Sequence, residues 1–417
     1  MNRRWNLNQY ATYILLTLVF LSSWTDINGI YAELPQIILT QPESWKLGAN
    51  LALTTNLGNI APFILVLVKL FYRKRTLNPV PINYVVIVIG MLSCFLLIFF
   101  WSYTTIIANV SRSTALLTLA FSLSLLDCTS SISFSDYIQR FRKEFTNTLF
   151  LGESLTSILP SLLAIAQGNG RIQCIQTING TTTTEAIYES ARFSVSIYFL
   201  CLFILLTISF ISFVLLQWTS VARNAHQIVP ESSLETIDRQ EKTLSTSSYL
   251  LLSLGCMYTS SVLFGFILAI STYVLMPYGH EIFYLATIIS PWMLVLVWIL
   301  GMIKPVLRQR YVYILITLGS ITFAFSMYVA LKSPCPPWVD TTKGSVLILF
   351  VWFITYILLG YPRLVIANYV RTYSSNGMFW FGVHVQSGAL VGSIISYLLV
   401  ETFALFRERM ACEKITC

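Results

Sequence analysis

Trp24-Thr-Asp-Ile-Asn-Gly-Ile-Tyr-Ala-Glu-Leu-Pro35 ends the first long apolar run of the chain. It sets two carboxylates, an asparagine, a glycine and a proline where a membrane helix should be blandest. An ionisable side chain at mid-bilayer costs about 2.5–3.5 kcal/mol on insertion scales, so it normally faces a cavity or a partner. In an unbroken helix Asp26 and Glu33 share one face, while Trp24 and Asn28 share a roughly opposite one. Breaks at Asn28-Gly29 and Leu34-Pro35 would turn both sets toward one cavity. The tract therefore reads as the end of a membrane span built to meet something polar.

The rest of the chain supports a membrane setting. Of its 417 residues 56% are hydrophobic and only 11% are charged, whereas about a quarter of a soluble domain is charged. Mean hydropathy is +0.71. The net charge of +8 does not point to nucleic acid, because the basic residues fall between the apolar runs rather than along one face. A transmembrane helix needs about 20 mostly apolar residues. Eleven segments qualify, at about 10–31, 50–70, 81–103, 113–136, 147–167, 192–217, 248–275, 281–302, 311–331, 345–368 and 378–403. The expected fold is an all-α membrane protein of eleven transmembrane helices.

Arg3 and Arg4 put the amino terminus in the cytoplasm by the positive-inside rule. Strict alternation then assigns sixteen of the 26 basic residues to cytoplasmic loops and nine to outer loops, with Arg363 left inside span 10. The sequons Asn109-Val-Ser111 and Asn179-Gly-Thr181 both fall in outer loops, where they can be glycosylated. An odd span count leaves the carboxyl terminus outside. Ser22-Ser23 after a basic start and an apolar run also fits a cleavable leader. The run continues through Ile27 and Ile30, however, and removing it would invert the next span.

One sizeable polar connection, 218–247, separates six spans from five. It reads as the cytoplasmic linker of a two-bundle carrier, with an amino-terminal bundle over 1–217 and a carboxyl-terminal bundle plus outer tail over 248–417. Pro62 and Pro291 occupy corresponding places if the bundles are repeats. Cys94, Cys128, Cys201 and Cys256 lie within spans as small apolar side chains. Cys174, Cys335, Cys412 and Cys417 fall on the outer, oxidising side, where disulfides form. Of the three pairings four cysteines allow, Cys335 with Cys412 and Cys174 with Cys417 is chosen, because the tail must be tied to something. No cysteine or histidine spacing suggests a metal.

Further polar side chains interrupt the spans. Asn56 and Asn59 lie one turn apart in span 2, fit either for a ligand or for helix packing. Span 4 reads Asp127-Cys-Thr-Ser-Ser-Ile-Ser-Phe-Ser-Asp136. Serine and threonine can satisfy themselves on their own helix backbone, but Asp127 cannot. Glu153 in span 5 could pair with Arg363 in span 10, since pairing is the usual reason such charges persist in a membrane. His384 and Gln386 precede Gly388-Ala-Leu-Val-Gly392, a close-contact motif for helices. No nucleophile-and-base set or phosphate loop appears, and three histidines, two of them in loops, argue against an enzyme. The residues alone leave open a facilitator for a planar heterocycle such as a nucleoside, and a non-transporting sensor or receptor on a carrier scaffold.

Taken together, several motifs resemble the riboflavin transporters of solute carrier family 52. They are Trp24-x-x-Ile-Asn-Gly-x-x-x-Glu-Leu-Pro35, Asn59-Ile-x-Pro62, Cys128-Thr-Ser130, Phe150-Leu-Gly152, Gln167-Gly-x-Gly-Arg-x-x-Cys174, Asn179-Gly-Thr181, Leu275-x-Pro-Tyr-Gly279, Ser333-Pro-Cys-Pro336 and Gln386. They run from span 1 to span 11, each weak alone and specific in combination. The resemblance implies a multi-pass plasma-membrane carrier with a major-facilitator-like 6+5 arrangement. It would import riboflavin by alternating access without sodium, with no cofactor beyond that cargo.

On matching positions, Trp24, Asn28, Glu33, Asn59, Thr129 and Gln386 become the implied binding residues. Trp24 would stack on the isoalloxazine. Asn28, Asn59 and Gln386 can donate and accept at its carbonyl and N–H edge, and Thr129 would meet the ribityl chain. Asp26, Asp127 and Glu153 stand where the mammalian members are expected to be neutral. Asp127 and Glu153 are thus the candidates for proton-sensitive transport.

Overall fold

The computed structural model describes residues 7–71, 78–138, 140–142, 145, 147–169, 172–179, 181–188, 191–222, 245–303, 308–373 and 377–409. The apolar runs fold as helices. The first eight are α1 (Leu7–Phe20), α2 (Thr25–Ile37), α3 (Leu47–Leu57), α4 (Ile60–Phe71), α5 (Pro79–Phe100), α6 (Thr114–Ile138), α7 (Asn147–Gln167) and α8 (Val195–Trp218). After the linker come α9 (Thr246–Ser261), α10 (Ile267–Leu275), α11 (His280–Ile303), α12 (Gln309–Leu331), α13 (Thr342–Tyr373) and α14 (Gly377–Tyr397). Among the described residues nine helices are long and apolar enough to cross a membrane, or ten if α1 and α2 form one bent span. The expected linker holds a short turn, Ser220–Ala222, and its charged residues at 223–244 lie outside the described residues.

Two antiparallel hairpins mark one end of the bundle: β1 (Thr105–Ile107) with β2 (Val110–Arg112), and β3 (Ile172–Asn179) with β4 (Thr181–Tyr188). Asn109 occupies the exposed β1–β2 turn with φ +63°, a left-handed conformation that asparagine tolerates better than most residues. The β3–β4 side chains lie outside the described residues, as do the tail cysteines, so Asn179, Cys174, Cys412 and Cys417 are not described. Cys335 is disulfide-bonded. Nearby, Ser333 Oγ donates to the Arg407 carbonyl at 2.7 Å, bringing the start of the tail to the same loop.

At the opposite, linker end, Arg140 bonds Asn78 at 2.8 Å and Gln217 Nε2 donates to the Tyr137 hydroxyl at 2.6 Å. Asn78 and Ser194 cap α5 and α8 by accepting from Val80 N and Ile197 N. Helices α1–α8 pack mostly among themselves, as do α9–α14. These two halves meet through α2, α3, α6 and α7 on one side and α10, α11 and α14 on the other.

Three of the expected spans are interrupted near their middles. Span 1 bends by 52° between α1 and α2. The break lies at Leu21–Trp24, one turn earlier than Asn28-Gly29. The hydroxyls of Ser22 and Ser23 donate to the carbonyls of Val19 and Phe20 at 2.9 and 2.8 Å. Their own N–H groups bond the same carbonyls at 3.2 Å. Local bonding of this kind competes with the helical ladder and ends it. Gly29 instead stays helical and serves close packing, since a Cβ there would come within 2.3 Å of Leu202 on α8. Pro35 also sits inside α2. Span 2 is interrupted at Gly58–Asn59, and span 7 by a π-helical turn, Val262–Phe266.

Candidate functional site

The break at 21–24 leaves Trp24 half-buried at the start of α2, whose first turn carries Asp26. A helix that starts inside a membrane presents free N–H groups and a partial positive charge there. Asp26 uses this, accepting from the Ile27 N–H at 2.9 Å. It is fully buried and lies within electrostatic range of Asp127, which is also fully buried on α6 with neither carboxyl oxygen hydrogen-bonded. The thiols of Cys94 and Cys128 lie within electrostatic range of Asp26.

One turn on, half-buried Asn28 reaches across to α7. Its amide nitrogen donates to the Thr156 carbonyl at 3.2 Å and lies 3.4 and 3.5 Å from the hydroxyls of Thr156 and Ser157. Those bonds employ only the nitrogen, so the amide oxygen remains able to accept. Tyr31, also half-buried, faces Thr55 at 3.5 Å and lies within electrostatic range of Tyr356 on α13. Asn56 on α3 donates to the Phe264 carbonyl in the π turn at 3.1 Å, joining the two halves. The Arg363 guanidinium sits 4.5 Å from the centre of the Phe264 ring, a cation–π contact. Glu153 on α7 and Arg363 on α13 are both half-buried and lie within electrostatic reach across the halves. A polar and aromatic seam thus runs between the halves, with an acid on one wall and a guanidinium on the other.

The other expected site residues are distributed unevenly. Glu33 is fully buried in the first half and accepts from Gln167 Nε2 at 2.8 Å. Its bond ties α2 to the last residue of α7, eleven residues beyond the Thr156 that Asn28 meets. Asn59 is buried at the span 2 break with neither side-chain atom bonded, and the buried Thr129 hydroxyl is likewise unbonded. Gln386 is half-buried on α14. His384 bonds the carbonyl of Trp380, one turn back on its own helix, at 2.6 Å. Among the described residues no group of three or more metal-binding side chains is assembled.

Sequence reasoning missed Tyr31, Phe264, Tyr356 and the Trp352 N–H bonded to Ser290 at 3.0 Å. Aromatics at helical spacing read as ordinary core, and only their partners on distant spans reveal otherwise. The Gly388–Gly392 motif is a close contact as expected. A Cβ at Gly388 would lie 2.2 Å from the Met257 carbonyl, and one at Gly392 would lie 2.3 Å from that of Ser261.

Comparison with known proteins places this geometry. The fold is shared with the nucleoside transporter NupG, at TM-score 0.54 and 14% identity over 95% of this chain and 92% of that one. It is also shared with a D-xylose–proton symporter, at TM-score 0.56 and 12% identity over 93% and 89%. Both likenesses concern the fold alone. In sequence the chain is 31% identical to zebrafish solute carrier family 52 riboflavin transporter member 3-A, covering 94% of this chain and 96% of that protein. It is 26% identical to human member 3, covering 97% and 98%. The family model for solute carrier family 52, riboflavin transporter, matches residues 8–248 and 221–408. The chain is therefore a multi-pass membrane solute carrier, not an enzyme, and belongs to the riboflavin transporter family, solute carrier family 52.

Proposed function

We propose that the chain imports riboflavin across the plasma membrane by alternating access, without sodium. The observation that carries this reading is the seam of Asn28, Tyr31, Glu153, Phe264, Tyr356 and Arg363 between the halves of a riboflavin-transporter-family chain. A planar heterocycle with a carbonyl and N–H edge suits such a seam. Trp24 stacks on the ring. Asn28, through its available amide oxygen, takes an N–H of the edge, and Asn59 and Gln386 supply groups that both donate and accept. Thr129 takes a ribityl hydroxyl when α6 shifts. Glu33, committed to Gln167, holds α2 in place rather than touching cargo.

In this reading eleven spans divide six and five around the 218–247 linker, with the amino terminus and linker cytoplasmic and the carboxyl terminus and both hairpins outside. The halves are joined most tightly at the hairpin end. There Thr272 donates to the Trp45 carbonyl at 2.7 Å, and the His280 ring bonds the Pro35 carbonyl at 2.8 Å. Toward the linker end α4 packs on α6 of its own half, and α9 on α12, α13 and α14 of its own. That arrangement is closed to the outside and reaches the seam from the cytoplasm. Asp127 and Glu153 make uptake sensitive to protons.

The test is uptake of labelled riboflavin by cells expressing the chain, with lumiflavin and nucleosides as competitors and sodium replaced by choline. Saturable uptake blocked by lumiflavin and indifferent to sodium is expected. Flavin binding at the cell surface without uptake would make the protein a sensor, and stronger competition by nucleosides would move the cargo class.

A further inference from the structure

At the hairpin end one carboxylate of the second half meets a cluster of donors from the first. Glu401 lies on the π-helical turn Leu398–Thr402 that ends span 11. Its Oε1 accepts from Asn50 Nδ2 at 2.9 Å and from an Arg112 guanidinium nitrogen at 3.0 Å. Its Oε2 lies 3.6 Å from the Lys46 ammonium. The three partners come from α3, the β1–β2 hairpin and the turn before α3, so they would move as parts of the first half.

That half holds them ready. Glu43 accepts from the Ser113 N–H at 2.7 Å and from its hydroxyl, which also meets Gln41 Oε1 at 2.5 Å. The 41–46 turn is thereby pinned to the segment that carries Arg112. Glu401 is only 9% exposed at its side chain, against 30% for Arg112 and 36% for Lys46. Shielding of this kind leaves the pairing weakly screened by solvent and makes removal of one partner costly.

Two ion pairs join the halves at this end, and both end on Glu401. The neighbouring contacts between the halves are an apolar ring pair, Trp45 against Tyr273 at 5.8 Å, and single bonds to backbone carbonyls. Rings can slide, whereas a carboxylate with three donors must release all of them before the halves part.

We propose that Glu401 is the latch of the hairpin end, a positioning residue whose carboxylate holds the halves together in this state and sets how often that end opens. Its role in transport rests on the carrier reading above, but the latch can be tested without cargo. Ser271 on α10 is buried at the same interface, its hydroxyl 3.8 Å from where a Cβ on Gly48 of α3 would lie. In the full chain carrying Ser271→Cys, a membrane-impermeant maleimide applied to intact cells should label slowly while the end is shut. Adding Glu401→Gln should speed labelling about five- to tenfold by shifting the population toward the open end. Arg112→Gln, which leaves Glu401 in place, should speed it less and serves if Glu401→Gln fails to reach the surface. The charge swap Arg112→Glu with Glu401→Arg, made together with Lys46→Gln so that no ammonium faces the new guanidinium, should restore slow labelling.

Unchanged rates in Glu401→Gln and Arg112→Gln at parental surface levels would overturn the latch. So would a swap that labels as fast as Glu401→Gln, since the increase would then reflect loosening rather than charge pairing. Labelling seen only after permeabilisation would reverse the proposed orientation, and the same rates would then be compared in permeabilised cells. Absence of riboflavin uptake by the parent chain, with labelling behaving as expected, would fault the cargo reading and leave the latch standing.

Discussion

Spans 1 and 7 are both interrupted near their middles, but by opposite means. Span 1 ends its first helix with hydroxyls that bond back onto the ladder, then restarts with Trp24, Asp26 and Asn28 in its first turn. Span 7 changes pitch in a π turn that carries no charge, and glycines let it press against α14. A Cβ on Gly265 would lie 2.6 Å from the backbone of Gly392 and Ser393. One break makes a polar half-helix start inside the membrane; the other makes room for two backbones to touch. The first is fit to meet a ligand, and the second is fit to hold a helix pair while the first changes its contacts.

The largest expected effect breaks the second device. Gly392→Leu places carbon where the Ser261 carbonyl already sits, 2.3 Å from the ideal Cβ. Backbone cannot retreat as a side-chain tip can, so the cost should reach about 3 kcal/mol, the upper end of the overpacking range. Surface expression and detergent melting should both collapse. A variant that melts within a few degrees of the parent would mean that α9 and α14 separate more easily than their contact implies.

The next effect falls on the first device. Asn28→Ala should lower uptake efficiency about 10- to 100-fold, as expected for leaving a buried polar partner unmet, while surface expression stays near parental. Because Asn28 also bonds the 156–157 segment, Thr156→Ala is the control. That change removes a hydroxyl from the same helix contact but leaves the Thr156 carbonyl, so it should cost little. Equal losses in the two variants would assign Asn28 to helix packing alone.

A subtler effect concerns the acids, which lie in the first half at Asp26, Asp127 and Glu153, opposite Arg363 in the second. Asp26→Asn and Asp127→Asn should each flatten the pH dependence of uptake, and the double variant should be no flatter than either, because two buried neighbouring carboxyls titrate as a pair. Additive changes would separate them. Glu153→Gln, facing Arg363, should flatten the profile independently of that pair.

Much of the helical architecture is legible in the sequence because a bilayer demands about 20 apolar residues per crossing, and the hairpins fall in the gaps. The break of span 1 is less legible. Asn28-Gly29 and Pro35 look like breakers by residue type, yet Gly29 answers to Leu202, 173 positions away in sequence, and Pro35 is tolerated inside α2. Ser22-Ser23, which do the breaking, look like ordinary small residues. The candidate site divides the same way. Trp24 and Asn28 stand out because they interrupt an apolar run, whereas Phe264 and Tyr356 vanish into one. Glu33 is conspicuous by its charge, and only the fold pairs it with Gln167.

The smallest effect is expected at Gly382, on the same helix as Gly388 and Gly392. A Cβ there would meet nothing within 4 Å. Gly382→Ala also removes backbone freedom from the unfolded chain, a gain of about 0.4–1 kcal/mol where the helix accepts it. Melting should therefore hold or rise slightly, and uptake should stay near parental. The same alanine at Gly388 would meet the Met257 carbonyl at 2.2 Å and should behave like a mild version of Gly392→Leu. Both positions are helical and both changes are identical in chemistry, so any difference measures the neighbouring helix alone. A drop in melting at Gly382 equal to that at Gly388 would mean that glycine serves α14 by its flexibility, and the close contact with α9 would lose its claim to explain the motif.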